Sequence, residues 1–197
     1  MSILLLLFLG GFLCGSIPTG YLIGRARGTD VRMHGSGNIG ATNVARVLGK
    51  KCGALVLFVD TAKGFVPCYV AAQHDFAYGI CTAIGAVLGH TFTPYLRFRG
   101  GRGVATALGS VLGLMPVAGL LCLGVWVIVL KLTGYVSLAS ISGALVLPLW
   151  TYGAGRFFGL LSVPRLAFAL VISATVVIRH IPNLKRLFVK GEPKFRL

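Results

Sequence analysis

The chain predicts an all-α integral membrane protein of seven transmembrane helices, and three observations predict it. Of its 197 residues, 56% are hydrophobic and only 12% charged, about half the roughly 25% charged residues usual in a soluble domain. Seven apolar stretches follow one another, at about 2–23, 52–73, 77–93, 104–114, 117–130, 136–150 and 163–178. The 19 Lys and Arg residues fall almost entirely between them. So little chain is left outside the spans that one membrane-embedded domain, 1–197, is expected. A net charge of +15 would suggest nucleic acid in a soluble protein. Here the positive-inside rule accounts for the basic loops, so nucleic acid is excluded as a partner. Phosphorylated small molecules and anionic membrane lipids are the expected partners.

The first stretch, MSILLLLFLGGFLCGSIPTGYLIG, lacks the basic n-region of a secretory signal, and Leu13 stands before Cys14 where a lipoprotein site needs a small residue. It is expected to be an uncleaved first span. In the second, Asp60 and Lys63 are three residues apart; pairing them lowers the cost of carrying charge into the membrane. Val104–Leu114 covers only about 16 Å at 1.5 Å per residue, so a single helix over 104–130, kinked at Pro116, is the alternative. Charge decides between them. With Gly113–Pro116 as a tight turn, every Lys and Arg except Lys63, Arg156 and Arg165 lies on one side, Lys190 and Arg196 among them. A merged helix would send Lys131 and the basic tail across. Seven spans are therefore expected, with the N-terminus outside and the C-terminus cytoplasmic. The five cysteines lie in or beside apolar runs without CxxC spacing, which predicts packing residues.

The stretches rich in Gly, Ser, Thr, Asn, His and Arg all gather on the cytoplasmic side of this layout. The first is GSGNIGATNVAR (35–46). Ser36, Asn38, Thr42 and Asn43 offer hydrogen-bonding side chains there, and Gly35, Gly37 and Gly40 allow unusual backbone angles. Arg46, four residues after Thr42, shares its face on a short helix. Such a set suits a ligand with several oxygens; it would also suit a capped interfacial helix. GHTFTPYLRFRGGRGVAT (89–106) sets Arg97, Arg99 and Arg102 among Gly100, Gly101 and Gly103, just before the helix expected over 104–114. Amides at the positive end of a helix, with Arg102 beside them, suit a phosphate grip; the alternative for these residues alone is a basic, flexible loop between membrane helices.

Two weaker signals follow. Ser137 and Ser140 are an i, i+3 pair at the start of span six, where a serine hydroxyl commonly bonds its own helix backbone. His180, Asn183 and Arg186 recur at i, i+3 and i+6 as span seven ends, although Pro182 counts against one continuous helical face. An unperturbed imidazole titrates near neutrality, so His180 is a candidate proton acceptor or phosphate donor; a lone histidine at a membrane boundary is also commonly just interfacial.

Other motifs are absent. The four acidic residues are far apart, the four histidines show no HExxH spacing, and there is neither a GxSxG elbow nor a GxxxxGK[ST] loop. No metal site, cofactor or protein nucleophile is therefore expected. Chemistry that rests on positioning and positive charge requires an already activated substrate.

SGNIGATNVAR (36–46), GHTFTPYLRFRGGRGVAT (89–106) and RHIPNLKRLFVKGE (179–192) resemble, in order, the three motifs of one bacterial family. These are the acyl-phosphate-dependent glycerol-3-phosphate acyltransferases, the PlsY family, and the resemblance runs nearly end to end. It implies transfer of a fatty acyl group from acyl phosphate to the 1-hydroxyl of glycerol 3-phosphate, giving lysophosphatidic acid and phosphate. It also implies an active site at the cytoplasmic face of the bacterial inner membrane. By position, Ser36, Arg46, Arg102, Ser140, His180 and Asn183 would contact the substrates, with catalysis resting on His180, Arg46, Arg102 and Asn183. Gly37, Asn38, Gly40, Thr42 and Asn43 would shape the polar pocket, and Gly100, Gly101 and Gly103 would turn around the second phosphate. One departure is Arg102, where family members often carry lysine; the charge is kept, but a planar fork replaces a compact ammonium. The rival readings are a transporter or channel for phosphorylated metabolites, a metal-dependent alcohol phosphotransferase and a non-catalytic scaffold. The first lacks paired broken helices in two halves, the second lacks clustered aspartates, and the third has no need of a glycine-framed phosphate loop.

Overall fold

The computed structural model describes residues 2–189 and 191–195; Lys190 and Arg196, counted above with the cytoplasmic charges, lie outside them. Among the described residues all regular structure is helical. The helices are α1 (Ile3–Ser16), α2 (Thr19–Ala26), α3 (Ala41–Leu48), α4 (Lys50–Ala72), α5 (Phe76–Thr91), α6 (Val104–Leu114), α7 (Pro116–Thr133), α8 (Val136–Phe157) and α9 (Val163–Phe188). Single 3₁₀ turns occur at Val31–Met33 and Pro94–Leu96. Six segments are long and apolar enough to cross a membrane: Ile3–Ala26, Lys50–Ala72, Phe76–Leu96, Pro116–Thr133, Val136–Phe157 and Val163–Phe188. At 11 residues α6 is shorter. Helices α6 and α7 are separate, interrupted at Met115 with Pro116 opening the second, a position where the missing proline N–H costs nothing. The chain divides there into two compact units, Met1–Leu114 and Met115–Leu197.

The first unit is packed through glycine. Gly11 and Gly15 of α1 lie against the carbonyls of Thr82 and Ala86 on α5, and Gly85 and Gly89 of α5 lie against those of Phe8 and Phe12 on α1. A Cβ at any of the four would overlap an opposing carbonyl oxygen. In lipid no hydrophobic force draws helices together, so close backbone approach and van der Waals contact must hold them. Helices α4 and α6 repeat the device, with Gly64 under the Thr106 carbonyl and Gly109 under that of Thr61.

The first apolar segment, Ile3–Ala26, is one candidate span made of two helices. Pro18, having no N–H, ends α1 at Ser16, and the chain restarts as α2 at Thr19. The carbonyls exposed by the break find new donors: Thr93 Oγ1 donates to Ser16 O (2.6 Å) and Lys63 Nζ donates to Ile17 O (2.8 Å). Freed backbone groups at membrane depth are tolerated where side chains re-satisfy them. The expected Asp60–Lys63 pair is present, at 2.9 Å. All five cysteines are free thiols.

Between α2 and α4, Val31, Ile39, Val44, Cys52, Val56 and Leu96 form a small apolar core, with Tyr21, Ile23 and Val47 packed against it. Leu96 comes from the loop after α5, the others from the loop after α2 and from α3 and α4. This core fastens the two polar loops to one another.

In the second unit, Gly134 adopts φ +74° and its amide closes α7 on Leu130 O (2.8 Å), which sets the short turn into α8. Pro182 does not stop α9, which runs on to Phe188, so His180 and Asn183 occupy one buried helical face. The tail then folds back. The Gly191 amide donates to Arg186 O (2.8 Å) and the Phe195 amide to Gly134 O (2.7 Å).

Candidate active site

The loop before α3 is built around Asn43, which is 1% exposed. Its Nδ2 donates to the carbonyls of Val31 (2.9 Å) and His34 (3.1 Å), and its Oδ1 accepts the Ser36 amide (2.8 Å). Gly35, at φ +61°, passes so close to that oxygen that a Cβ there would strike it. Asn38 Oδ1 accepts the Gly40 amide (2.7 Å), an Asx turn that sets the chain up for α3. The Ser36 and Gly40 amides are thus taken by the loop's own side chains, and the Gly37 amide by His34 O (3.1 Å). Gly40 caps α3 without a side-chain bond. Thr42 and Arg46 lie on α3 at the expected i, i+4 spacing, both half-buried.

The second loop is held by the end of α5. The Gly100 and Gly101 amides donate to Thr91 O and His90 O, each at 3.1 Å. A Cβ at Gly100 would run into the His90 carbonyl, and one at Gly101 into the His90 ring. These two glycines therefore serve backbone-to-helix contact, whereas Gly103 supplies a left-handed φ of +79° immediately before α6. Arg102 is half-buried between them. The first-turn amides of α6, Val104 to Thr106, have no acceptor within the helix and form its positive end.

The two loops meet at an open cleft of about 370 Å³ lined by Arg32, Met33, Ser36, Gly37, Asn38, Ile39, Arg99 and Gly100. It brings together Ser36, Gly37, Asn38 and Gly100 as the motifs suggested. Its walls, among the described residues, include neither Arg46 nor Arg102. Arg32 and Arg99 are the cations the motif reading did not single out for the site. Arg99 was legible as part of RFRGG. Arg32 was not, because its place depends on Asp30, which accepts from Arg32 Nε (2.9 Å) and Nη2 (2.6 Å). That hydrogen-bonded guanidinium pulls the Asp30 carboxyl down to about 2 and holds Arg32 above its ordinary value. Arg32 also lies over the Tyr21 ring, 4.6 Å from its centroid.

In the second unit, Ser140 Oγ donates to Val136 O (2.8 Å) and accepts from Trp126 Nε1 (3.2 Å). Ser137 Oγ is buried and has no hydrogen-bond partner among the described residues. His180 is 1% exposed, with Nδ1 2.8 Å from Val176 O; a proton on Nδ1 places the basic lone pair on Nε2. Asn183 Nδ2 donates to Glu192 Oε1 (2.6 Å), and Glu192 Oε2 also accepts from Arg186 Nε (3.2 Å). A carboxylate can only accept, so it fixes the orientation of the amide. Among the described residues, the Asn183 Oδ1 that faces away is buried without a hydrogen-bond partner. Glu192 was missed as a site residue because its contact depends on the tail folding back.

Comparisons with known proteins identify the family and the fold. Residues 5–190 match the model of the glycerol-3-phosphate acyltransferase family. The chain is 40% identical over 200 residues to the glycerol-3-phosphate acyltransferase of Endomicrobium trichonymphae, covering 100% of this chain and 98% of that protein. The enzyme of Geotalea daltonii is 46% identical over 101 residues, 50% of this chain and 52% of that protein. Crystal structures of PlsY (YgiH), an integral membrane glycerol 3-phosphate acyltransferase, superpose with TM-scores of 0.92 in the glycerol 3-phosphate form and 0.90 in the lysophosphatidic acid form. Each is 39% identical and covers 99% of this chain and 96% of its own. Motifs, helical architecture and relatives converge, and the chain belongs to the PlsY family of integral membrane glycerol-3-phosphate acyltransferases.

Proposed function

We propose that this acyltransferase takes its acyl group from acyl phosphate and places it on the 1-hydroxyl of sn-glycerol 3-phosphate. The products are lysophosphatidic acid and inorganic phosphate. The hydroxyl oxygen attacks the acyl carbon of the mixed anhydride, the bond between that carbon and the bridging oxygen breaks, and the oxygen leaves on phosphorus as inorganic phosphate, with the hydroxyl proton passed to a base. Phosphate is a good leaving group, so no covalent enzyme intermediate is needed, and alignment of hydroxyl and acyl carbon supplies much of the acceleration. The observation that carries this reading is the cleft where the SGN and RGG loops meet, walled by Ser36, Gly37, Asn38, Arg99 and Gly100.

Two phosphorylated substrates repel one another. Arg46 and Arg102, which stand outside the walls of that cleft, together with Arg32 and Arg99 within them, offset that repulsion by charge-assisted hydrogen bonds, helped by Ser36, Thr42, Gly103 and the first amides of α6. His180 accepts the hydroxyl proton at Nε2, or orients the substrate phosphate that does. Asn183 Oδ1, which can only accept, suits a substrate hydroxyl better than a phosphate oxygen. Ser137 and Ser140 are the remaining polar groups assigned to substrate. The chain crosses the inner membrane seven times, with α6 as the short span and the C-terminus cytoplasmic; the positive-inside bias supports this layout and a cytoplasm-facing site. The test is to supply purified protein and glycerol 3-phosphate with acyl phosphate, acyl-CoA or acyl-carrier protein in turn. Product from acyl phosphate alone is expected. Equal or better product from a thioester donor would overturn the donor assignment.

A further inference from the structure

Beneath the RGGRG loop lies a buried ionic cluster that this reaction scheme does not use. Asp60, Lys63 and His90 are 2%, 6% and 5% exposed. Asp60 Oδ1 stands 2.9 Å from Lys63 Nζ and 3.9 Å from His90 Nδ1. Each end of the cluster reaches backbone that has left a regular helix. At one end, Lys63 donates to Ile17 O, at the break between α1 and α2. At the other, the His90 carbonyl accepts the Gly101 amide, and the His90 ring fills the space a side chain at 101 would need. A continuous set of contacts thus runs from the broken first span through α4 and α5 to the residue beside Arg102.

Charge is an expensive way to build such a connection. Buried ion pairs commonly give a fold no more stability than apolar residues of equal volume, while removal of one partner strands the other charge. Packing alone therefore does not explain this cluster, whereas a fixed location for His90, and through it for Gly101, does. We propose that Asp60, Lys63 and His90 are positioning residues that set the RGGRG loop and thereby the affinity of the anion site. The proposal rests on the reading of that loop as a phosphate grip.

The test uses the full chain in detergent, with thermal midpoint, KM for glycerol 3-phosphate and kcat measured together. The double variant Asp60→Asn/Lys63→Met removes both charges, and His90→Gln keeps a polar group facing Asp60. His90→Gln is expected to keep the thermal midpoint near wild type and the double variant to lower it, because Ile17 O loses its Lys63 donor. Both are expected to keep kcat near wild type while raising the glycerol 3-phosphate KM about tenfold, the sign of lost binding with intact chemistry. Gly101→Ala, which meets the same ring from the loop side, is expected to raise KM similarly. A merely structural cluster would lower the midpoint and the active fraction and leave KM where it was. Wild-type KM in His90→Gln, or an unfolded double variant, would overturn the proposal. Failure of the wild-type enzyme to acylate glycerol 3-phosphate would instead remove the functional reading on which it rests.

Discussion

Asn43 spends its whole side chain on the backbone around it, holding Val31, His34 and Ser36 in register with three hydrogen bonds. Asn43→Ala would leave those groups short of partners, at about 1–3 kcal/mol for each one left buried and unsatisfied. A lower thermal midpoint together with lower activity is the expected outcome. A wild-type midpoint would mean the loop holds itself without this amide. His180 calls for the opposite signature. If its Nε2 takes the hydroxyl proton, His180→Gln should cut kcat by about 10²–10⁴-fold with an unchanged midpoint. Near-normal turnover would leave the proton to a substrate phosphate. The residue types at these positions were legible in the sequence, but their partners were not. An asparagine offers the same groups to a ligand as to its own loop, and only the folded backbone shows which it meets. Ser140 is the counterpart on α8, its hydroxyl shared between its own helix and Trp126.

Among the helices, spacing alone located most of the apolar segments, because a span must carry a long apolar run to cross lipid. It missed the break at Pro18. Hydropathy is blind to a missing N–H, and the groups that repair the break, Lys63 and Thr93, come from distant parts of the chain. It also mistook the effect of Pro182, which α9 absorbs so that His180 and Asn183 share a face. The paired glycines of α1 and α5 were readable as two small-xxx-small repeats, yet nothing in the sequence said that they face each other. Their interlock makes an exacting test of the packing. Gly15→Leu and Gly85→Leu each push a side chain into the opposing backbone, and overpacking of this kind costs about 1–3 kcal/mol or more. Lower thermal midpoints are expected for both, with no such loss for Gly10→Leu, since a Cβ at 10 meets nothing within 4 Å.

For the whole molecule, the strong positive charge and the scarcity of carboxylates make sense together. The proposed reaction would draw two anionic substrates to one place, and the chain's cations and helix-end amides would hold them there without mutual repulsion. The claim at the centre is that arginines and loop amides alone bind the phosphate of glycerol 3-phosphate. The most direct measurement is calorimetric titration of glycerol 3-phosphate into detergent-purified protein with EDTA present, for the wild type and for Arg46→Ala and Arg102→Ala. Binding by the wild type is expected, weakened at least about tenfold in each variant, as loss of a charge-assisted hydrogen bond worth about 1.5–3 kcal/mol requires. Wild-type affinity in both variants, or binding abolished by EDTA, would contradict it.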